Sequence, residues 1–258
     1  MKKLITDIKK LKSGYKVTFN DEAIINIELD IFIKYHLKSG LDLNQATYLE
    51  MLKENEKLYY TKLGVIRLKR MQTKKELFDY LVGKGCNFKL ANDLVIDFKK
   101  KRYIDDDEYA KLFIETKKRQ QGPKLLTANL LKKGIDLDII NKHLANIDEY
   151  EILGEQVKKK YASYRHKTRK QALLSTKTHF ILKGYKRELV DMVLMKVKEE
   201  IPKNDQVLLD KAFDKLYDKL KDKKEGYELK SLIKQKLYQK GFEIGDIETI
   251  FIQKNVLS

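Results

Sequence analysis

The 258-residue chain has a charged fraction of 36%, and its 55 basic and 38 acidic side chains give a formal net charge of +17. A chain of this length can bury a substantial core in one or two domains, and its two prolines suit long solvated helices. One cysteine excludes an internal disulfide, four scattered histidines give no zinc-ligand spacing, and no apolar run reaches signal-peptide or transmembrane length. We therefore expect a cytoplasmic protein that is attracted to polyanions or to an acidic protein.

The first 43 residues are predicted to form a β-rich segment. Three short stretches between about residues 3 and 29 are rich in β-branched residues and partly alternate in polarity, with turns at Ser13-Gly14 and Asn20-Asp21. This pattern predicts a small antiparallel sheet. Residues 30–43 are predicted to add a short helix and a turn at Ser39-Gly40.

The rest of the chain repeats a pattern around four Lys-Gly pairs. The glycines are Gly85, Gly134, Gly184 and Gly241, separated by 49, 50 and 57 positions. A large apolar residue stands four positions before each glycine, and another apolar residue or cysteine follows it directly. Because glycine adopts the left-handed conformation without steric cost, each pair is predicted to end one short helix before a second begins. The pairs lack the pattern of a phosphate-binding loop.

A longer helix is predicted upstream of each pair of short helices. Its start is marked by polar residues near Asn44, Asp105, Asp148 and Asn204. The predicted fold is therefore mainly α, with tandem three-helix repeats that stack into an elongated curved array. The predicted boundaries are 1–43 for the N-terminal segment, followed by repeats at 44–101, 102–147, 148–200 and 201–258.

No catalytic or metal site is expected. Asp105, Asp106, Asp107 and Glu108 offer carboxylates that Mg²⁺ would accept, but consecutive residues at a helix start point in different directions. We interpret them as a helix N-cap and first turn. The histidines and Cys86 do not assemble into a nucleophile and base pair. We expect a protein that is not an enzyme and needs no cofactor.

Basic clusters are the features with the clearest functional meaning. They lie at Lys99–Arg102, Lys117–Arg119, Lys158–Lys160 and Arg165–Lys170. A single cluster is readily explained as a solvated helix end, but repetition predicts a stripe of cations along one side of the array. Tyr103, Tyr161 and Tyr164 are interleaved and would be available for base stacking if they were exposed.

The sequence resembles the RecX family of bacterial recombination regulators. The segment "RYIDDDEYA" at 102–110 is similar to the family's signature of arginine, an aromatic residue and paired aspartates. "KKRQQGPKLLTANLLKKGID" at 117–136 and "KKELFDYLVGKG" at 74–85 resemble neighbouring family segments, and the β-rich start resembles the extension of longer members from low-GC Gram-positive bacteria. The third repeat lacks the Gly-Pro pair before its second helix, which predicts a differently shaped connection there.

The resemblance implies a negative modulator of RecA that acts in DNA repair and the SOS response. Such a protein would bind in the groove of the RecA filament on single-stranded DNA and restrain filament extension, ATP hydrolysis, strand exchange and repressor cleavage. The alternative is a helical-repeat protein that binds single- or double-stranded DNA without RecA. In either case we expect a monomer without membrane contact. The candidate contacts are Arg102, Lys117, Lys118, Arg119, Lys158, Lys159, Arg165, Lys167, Arg169 and Lys170, all of them expected to be exposed.

Overall fold

The computed structural model describes residues 2–201 and 204–254. Within them, thirteen helices accompany a four-stranded antiparallel sheet, which confirms the expected mainly α fold with a small N-terminal sheet. The remaining positions of the predicted N-terminal segment and fourth repeat, residues 1, 202–203 and 255–258, lie outside the described residues. The chain divides into two compact units. The first extends to Ala110 and includes Lys132–Asp136, and the second comprises Lys111–Leu131 and the chain from Leu137 onward.

The sheet has the strand order β3-β2-β1-β4. Its strands are β1 (Lys3–Lys10), β2 (Tyr15–Phe19), β3 (Ile24–Ile27) and β4 (Asp42–Leu43), and α1 (Leu29–Lys34) precedes β4. Alternation places Ile5, Val17 and Ile27 in the core. The fourth strand was not predicted, because two residues are too short to carry an alternating pattern.

The helices after the sheet fall into four groups of three along the chain. They are α2 (Gln45–Arg67), α3 (Lys74–Gly83), α4 (Phe88–Lys100), α5 (Asp106–Lys117), α6 (Pro123–Lys132), α7 (Leu137–Leu144), α8 (Glu149–Ser163), α9 (Arg169–Leu182), α10 (Arg187–Glu200), α11 (Gln206–Leu220), α12 (Gly226–Gln239) and α13 (Ile244–Gln253). The first helix is the longest of every group, although α8 exceeds α9 and α10 by only one residue. In the first, third and fourth groups, apolar stripes from the three helices meet in a shared core, as with Val157, Phe180 and Val190 in the third group.

Each Lys-Gly pair ends a helix, as predicted. The glycines have φ angles of 92°, 78°, 91° and 88° in chain order. After Gly85, Gly184 and Gly241 the next amide donates back to the last turn of the helix, for example from Tyr185 to the Phe180 carbonyl at 3.2 Å. These bonds satisfy carbonyls that a helix end otherwise leaves without a partner.

The Lys-Gly turns also join consecutive groups, a role that the sequence did not reveal. The lysine carbonyl of a turn accepts a hydrogen bond from the residue that precedes the middle helix of the group before it. The bonds run from Thr73 Oγ1 to Lys133 O at 2.7 Å, from Gly122 N to Lys183 O at 2.7 Å, and from Thr168 Oγ1 to Lys240 O at 3.3 Å. The same position therefore makes the same contact three times, although the donor changes from hydroxyl to backbone amide.

We call each of these contacts between consecutive groups a joint. In two of the joints an aspartate side chain accepts a further hydrogen bond. Asp106 is only 7% exposed, and it accepts a hydrogen bond from the Lys74 amide, the first of α3, at 3.0 Å. Asp205 accepts the Arg169 amide, the first of α9, with both carboxylate oxygens at 3.0 and 2.8 Å. The middle joint has no such bond because Pro123, the first residue of α6, has no amide hydrogen.

Asp106→Ala is expected to lower the free energy of unfolding by about 1–3 kcal/mol, because the Lys74 amide loses its acceptor and the Lys74 ammonium loses a carboxylate 3.4 Å away. Asp93→Ala is the matched control, since Asp93 is exposed on α4. Urea unfolding followed by circular dichroism measures the free energy of unfolding of both variants. Equal stability of the two variants would contradict a role for Asp106 in the joint.

Candidate cationic interface

The structure gathers five of the predicted cations around two clefts in the second compact unit. Lys118, Arg119 and Lys159 line the first cleft, of about 440 Å³. Arg165 and Lys167 line the second, of about 430 Å³. Each cleft lies between the loop after one long helix and the start of the next long helix, so the clefts occupy corresponding places in consecutive groups.

The cations of the first cleft face acidic neighbours. Arg119 and Lys159 are exposed. Lys118 is half-buried, with its ammonium 2.6 Å from a Glu115 carboxylate oxygen. The opposite wall is formed by the first two turns of α8 and carries three acidic side chains, Asp148, Glu151 and Glu155.

Lys167 is held in a fixed position at the second cleft. Its ammonium donates a hydrogen bond to Ser175 Oγ at 2.7 Å and lies 4.3 Å from the centre of the Tyr164 ring. The Lys160 ammonium lies 5.0 Å from the centre of the same ring. These cation–π contacts engage the Tyr164 ring within the protein itself. Arg165 is exposed at the mouth of the cleft.

Arg169 differs from the exposed cation that the sequence predicted. It is half-buried at the start of α9, where its backbone amide binds Asp205 and its guanidinium lies beside the Tyr161 hydroxyl. Tyr161 is fully buried and is therefore not available for base stacking. Burial raises the pKa of Tyr161, and the nearby Arg169 charge partly opposes that increase. Both residues support the joint between the third and fourth groups.

The other candidates lie apart from the two clefts. Lys158 is exposed and forms an ion pair with Glu200, and Lys170 is exposed with its ammonium 5.4 Å from the centre of the Tyr238 ring. Lys117 is half-buried at the end of α5. Arg102 is exposed at the turn after α4, in the left-handed conformation with a φ of 59°.

The cap positions of the middle helices reveal an arginine that the sequence interpretation missed. Arg119 and Arg165 each stand three residues before the residue that precedes a middle helix, Gly122 or Thr168. Arg70 has the same relation to Thr73 in the first group, and it is exposed. Arg70 and Arg119 both stand 15 positions before the glycine of their group, but Arg165 stands 19 positions before its own, so spacing from the glycines does not bring the three arginines together. The middle helix has ten residues in the first two groups and fourteen in the third.

Two kinds of site are absent from the described part of the chain. No three His, Cys, Asp or Glu side chains there are grouped to hold a metal ion. Between residues 2 and 254, apart from 202–203, no helix is both long and apolar enough to cross a membrane.

Comparison with known proteins identifies the family. The model of the second three-helix domain of RecX matches residues 105–144. The Regulatory protein RecX of Bacillus cereus strain B4264 is 30% identical, with 90% of this chain and 88% of the relative covered. The chain belongs to the RecX family. The Regulatory protein RecX of Streptococcus uberis is 27% identical over 95% of this chain and 97% of its own.

Two solved RecX structures share the fold. The crystal structure of a regulatory protein RecX matches with a TM-score of 0.56 and 17% identity, covering 74% of this chain and 98% of that one. The crystal structure of RecX from Lactobacillus salivarius matches with a TM-score of 0.52 and 21% identity, covering 56% of this chain and 98% of that one. At these identities the likeness shows the fold alone.

Proposed function

We propose that this RecX family member is a non-enzymatic negative modulator of RecA. It binds in the groove of the RecA filament on single-stranded DNA and restrains filament extension, ATP hydrolysis, strand exchange and repressor cleavage. Its cations contact acidic RecA side chains or DNA phosphates, and occupation of the groove suffices for the effect. The proposal rests on the family relationship together with the cations at the two clefts.

The observation that carries the proposal is the recurrence of one exposed arginine in corresponding loops. Arg119 and Arg165 occupy the same position relative to the middle helices of consecutive groups, and Arg70 has that position in the first group. A filament of identical protomers presents the same acidic groups repeatedly, so a repeated cation matches a repeated partner. Arginine suits this role because its planar guanidinium binds carboxylate and phosphate through two hydrogen bonds.

Titration of RecA ATPase on single-stranded DNA tests the proposal. Inhibition is expected at amounts of this protein well below those that would coat the DNA, because binding a filament groove affects many protomers. Filament length, measured by electron microscopy in the same samples, is expected to fall in parallel. Inhibition that begins only at DNA-coating amounts would instead indicate simple competition for DNA.

One observation favours DNA binding without RecA as a second function. Tyr103 is 62% exposed and directly follows the exposed Arg102. An exposed aromatic ring beside a cation is suited to a stacked base and its phosphate. Binding of a labelled single-stranded oligonucleotide in the absence of RecA, compared with a Tyr103→Ala variant, separates this function from the first.

A further inference from the structure

The two clefts can be compared position by position because the long helices that form their walls bury corresponding residues. Leu153 and Val157 of α8 are buried, and so are Leu209 and Phe213 of α11, each 56 positions further along the chain. With this offset, Glu155 of the first cleft corresponds to Lys211 of the second.

The same alignment shows how the walls differ. Glu151 corresponds to Val207, and Ile152 corresponds to Leu208. Two positions that are acidic in the first cleft are therefore occupied in the second by an apolar residue and by a lysine. The position of Ile152 and Leu208 is apolar in both clefts. The volumes are nearly equal, about 440 and 430 Å³, so the clefts differ in charge rather than in size.

These substitutions leave the second cleft with an excess of positive charge. In the first cleft, three cations face three carboxylates, which compensate one another. Among the described residues that line the second, Arg165, Lys167 and Lys211 accompany a single carboxylate, that of Asp205. Both oxygens of that carboxylate already accept the Arg169 amide, so it is engaged in the joint between groups.

The second cleft also has an apolar surface beneath its cations. It is formed by Ala162, Ile201, Val207 and Leu208. Val207 is 59% exposed. An exposed apolar side chain beside exposed cations gains free energy when a partner covers it, because apolar area is removed from water.

We propose that the second cleft binds an acidic segment of a protein partner that also carries apolar side chains. Carboxylates of the segment pair with Arg165, Lys167 and Lys211, and its apolar side chains cover Val207 and Leu208. Nucleic acid fits less well, because His166 supplies the one aromatic ring among the lining residues that the structure describes, and the Tyr164 ring is engaged by two lysines. The inference rests on the proposed function insofar as the RecA filament would supply the segment.

A charge-reversal variant with a matched control tests the inference. Lys211→Glu gives the second cleft the charge that Glu155 gives the first, whereas Lys219→Glu makes the same change two turns further along α11, about 12 Å away. The full chain is titrated into a fluorescein-labelled synthetic peptide of alternating acidic residues and leucine, and separately into a labelled oligothymidine. Lys211→Glu is expected to weaken peptide binding roughly tenfold, because attraction becomes repulsion. Lys219→Glu is expected to bind as the unmodified chain does.

A reciprocal variant strengthens the test. Glu155→Lys gives the first cleft the lysine of the second, and it is expected to raise the number of peptides bound per chain from one toward two. Absence of peptide binding, equal loss in Lys211→Glu and Lys219→Glu, or no gain in Glu155→Lys would each overturn the inference. Oligothymidine binding that depends on Lys211 more strongly than peptide binding does would also overturn it, in favour of nucleic acid.

The outcome separates this inference from the proposed function. The peptide and oligonucleotide titrations contain no RecA, so they report on the cleft alone. RecA inhibition without peptide binding would remove the cleft inference and leave the proposed function standing. Specific peptide binding by a chain that does not affect RecA would do the reverse.

Discussion

Replacing Gly122 with alanine is expected to lower the free energy of unfolding by about 3 kcal/mol. A Cβ at this position would lie 2.7 Å from the Gly184 carbonyl carbon and 2.7 Å from the Tyr185 nitrogen. These are backbone atoms of the turn that accepts the Gly122 amide at 2.7 Å, so neither side can move without breaking the joint. The effect is steric, since Gly122 is not among the glycines with positive φ.

Gly154→Ala is the matched control for that substitution. Gly154 lies inside α8, and a Cβ there would meet nothing within 4 Å. Alanine has the higher helix propensity, so this variant is expected to gain up to about 1 kcal/mol. Urea unfolding measures the free energy of unfolding of both variants. A Gly122→Ala variant as stable as Gly154→Ala would show that the second and third groups do not pack backbone against backbone.

The sequence predicted the helices well because their boundaries are encoded locally. Lysine, glycine and an apolar residue mark a helix end within three positions, and polar caps such as Asp148 mark a helix start. The contacts between groups could not be predicted in this way. They join residues 60 to 72 positions apart through a backbone carbonyl, which leaves no side-chain pattern in the sequence.

The near-regular glycine spacing also concealed compensating changes in helix length. In the third group, α8 and α9 are three and four residues longer than α5 and α6, while α7 before them has only eight residues and α10 has fourteen. Alignment on the glycines therefore shifts the loops of the third group relative to those of the first two. Arg70 and Arg119 both stand 15 positions before the glycine of their group, whereas Arg165 stands 19 positions before its own, so the shift separates Arg165 from the other two.

The candidate site could be predicted only as a set of cations, because charge is visible in a sequence and burial is not. Arg169 lies in the same basic run as Arg165 and Lys167. It is nevertheless the first residue of α9, and this position places it against Tyr161 and Asp205. Arg165 is four residues earlier, in the loop, and is exposed. A charge-reversal experiment should therefore change Arg119 and Arg165, because changing Arg169 would also disturb the joint.

The double variant Arg119→Glu with Arg165→Glu is expected to raise the amount of protein needed for half-inhibition of RecA ATPase at least about tenfold. Each substitution replaces an exposed cation by an anion, which turns attraction to an acidic group into repulsion worth roughly 1 kcal/mol or more. Because both arginines lie in loops, the unfolding midpoint should stay unchanged.

The central claim is that these corresponding arginines carry the contact with the filament, and one measurement tests it most directly. RecA ATPase on single-stranded DNA is titrated with the unmodified chain, with the double variant, and with Lys89→Glu/Lys219→Glu. This control changes two exposed lysines and has the same net charge as the double variant. The account predicts a loss of inhibition only in the arginine variant. Inhibition by the arginine variant at the same amounts as the unmodified chain, or equal loss in the lysine control, would contradict it.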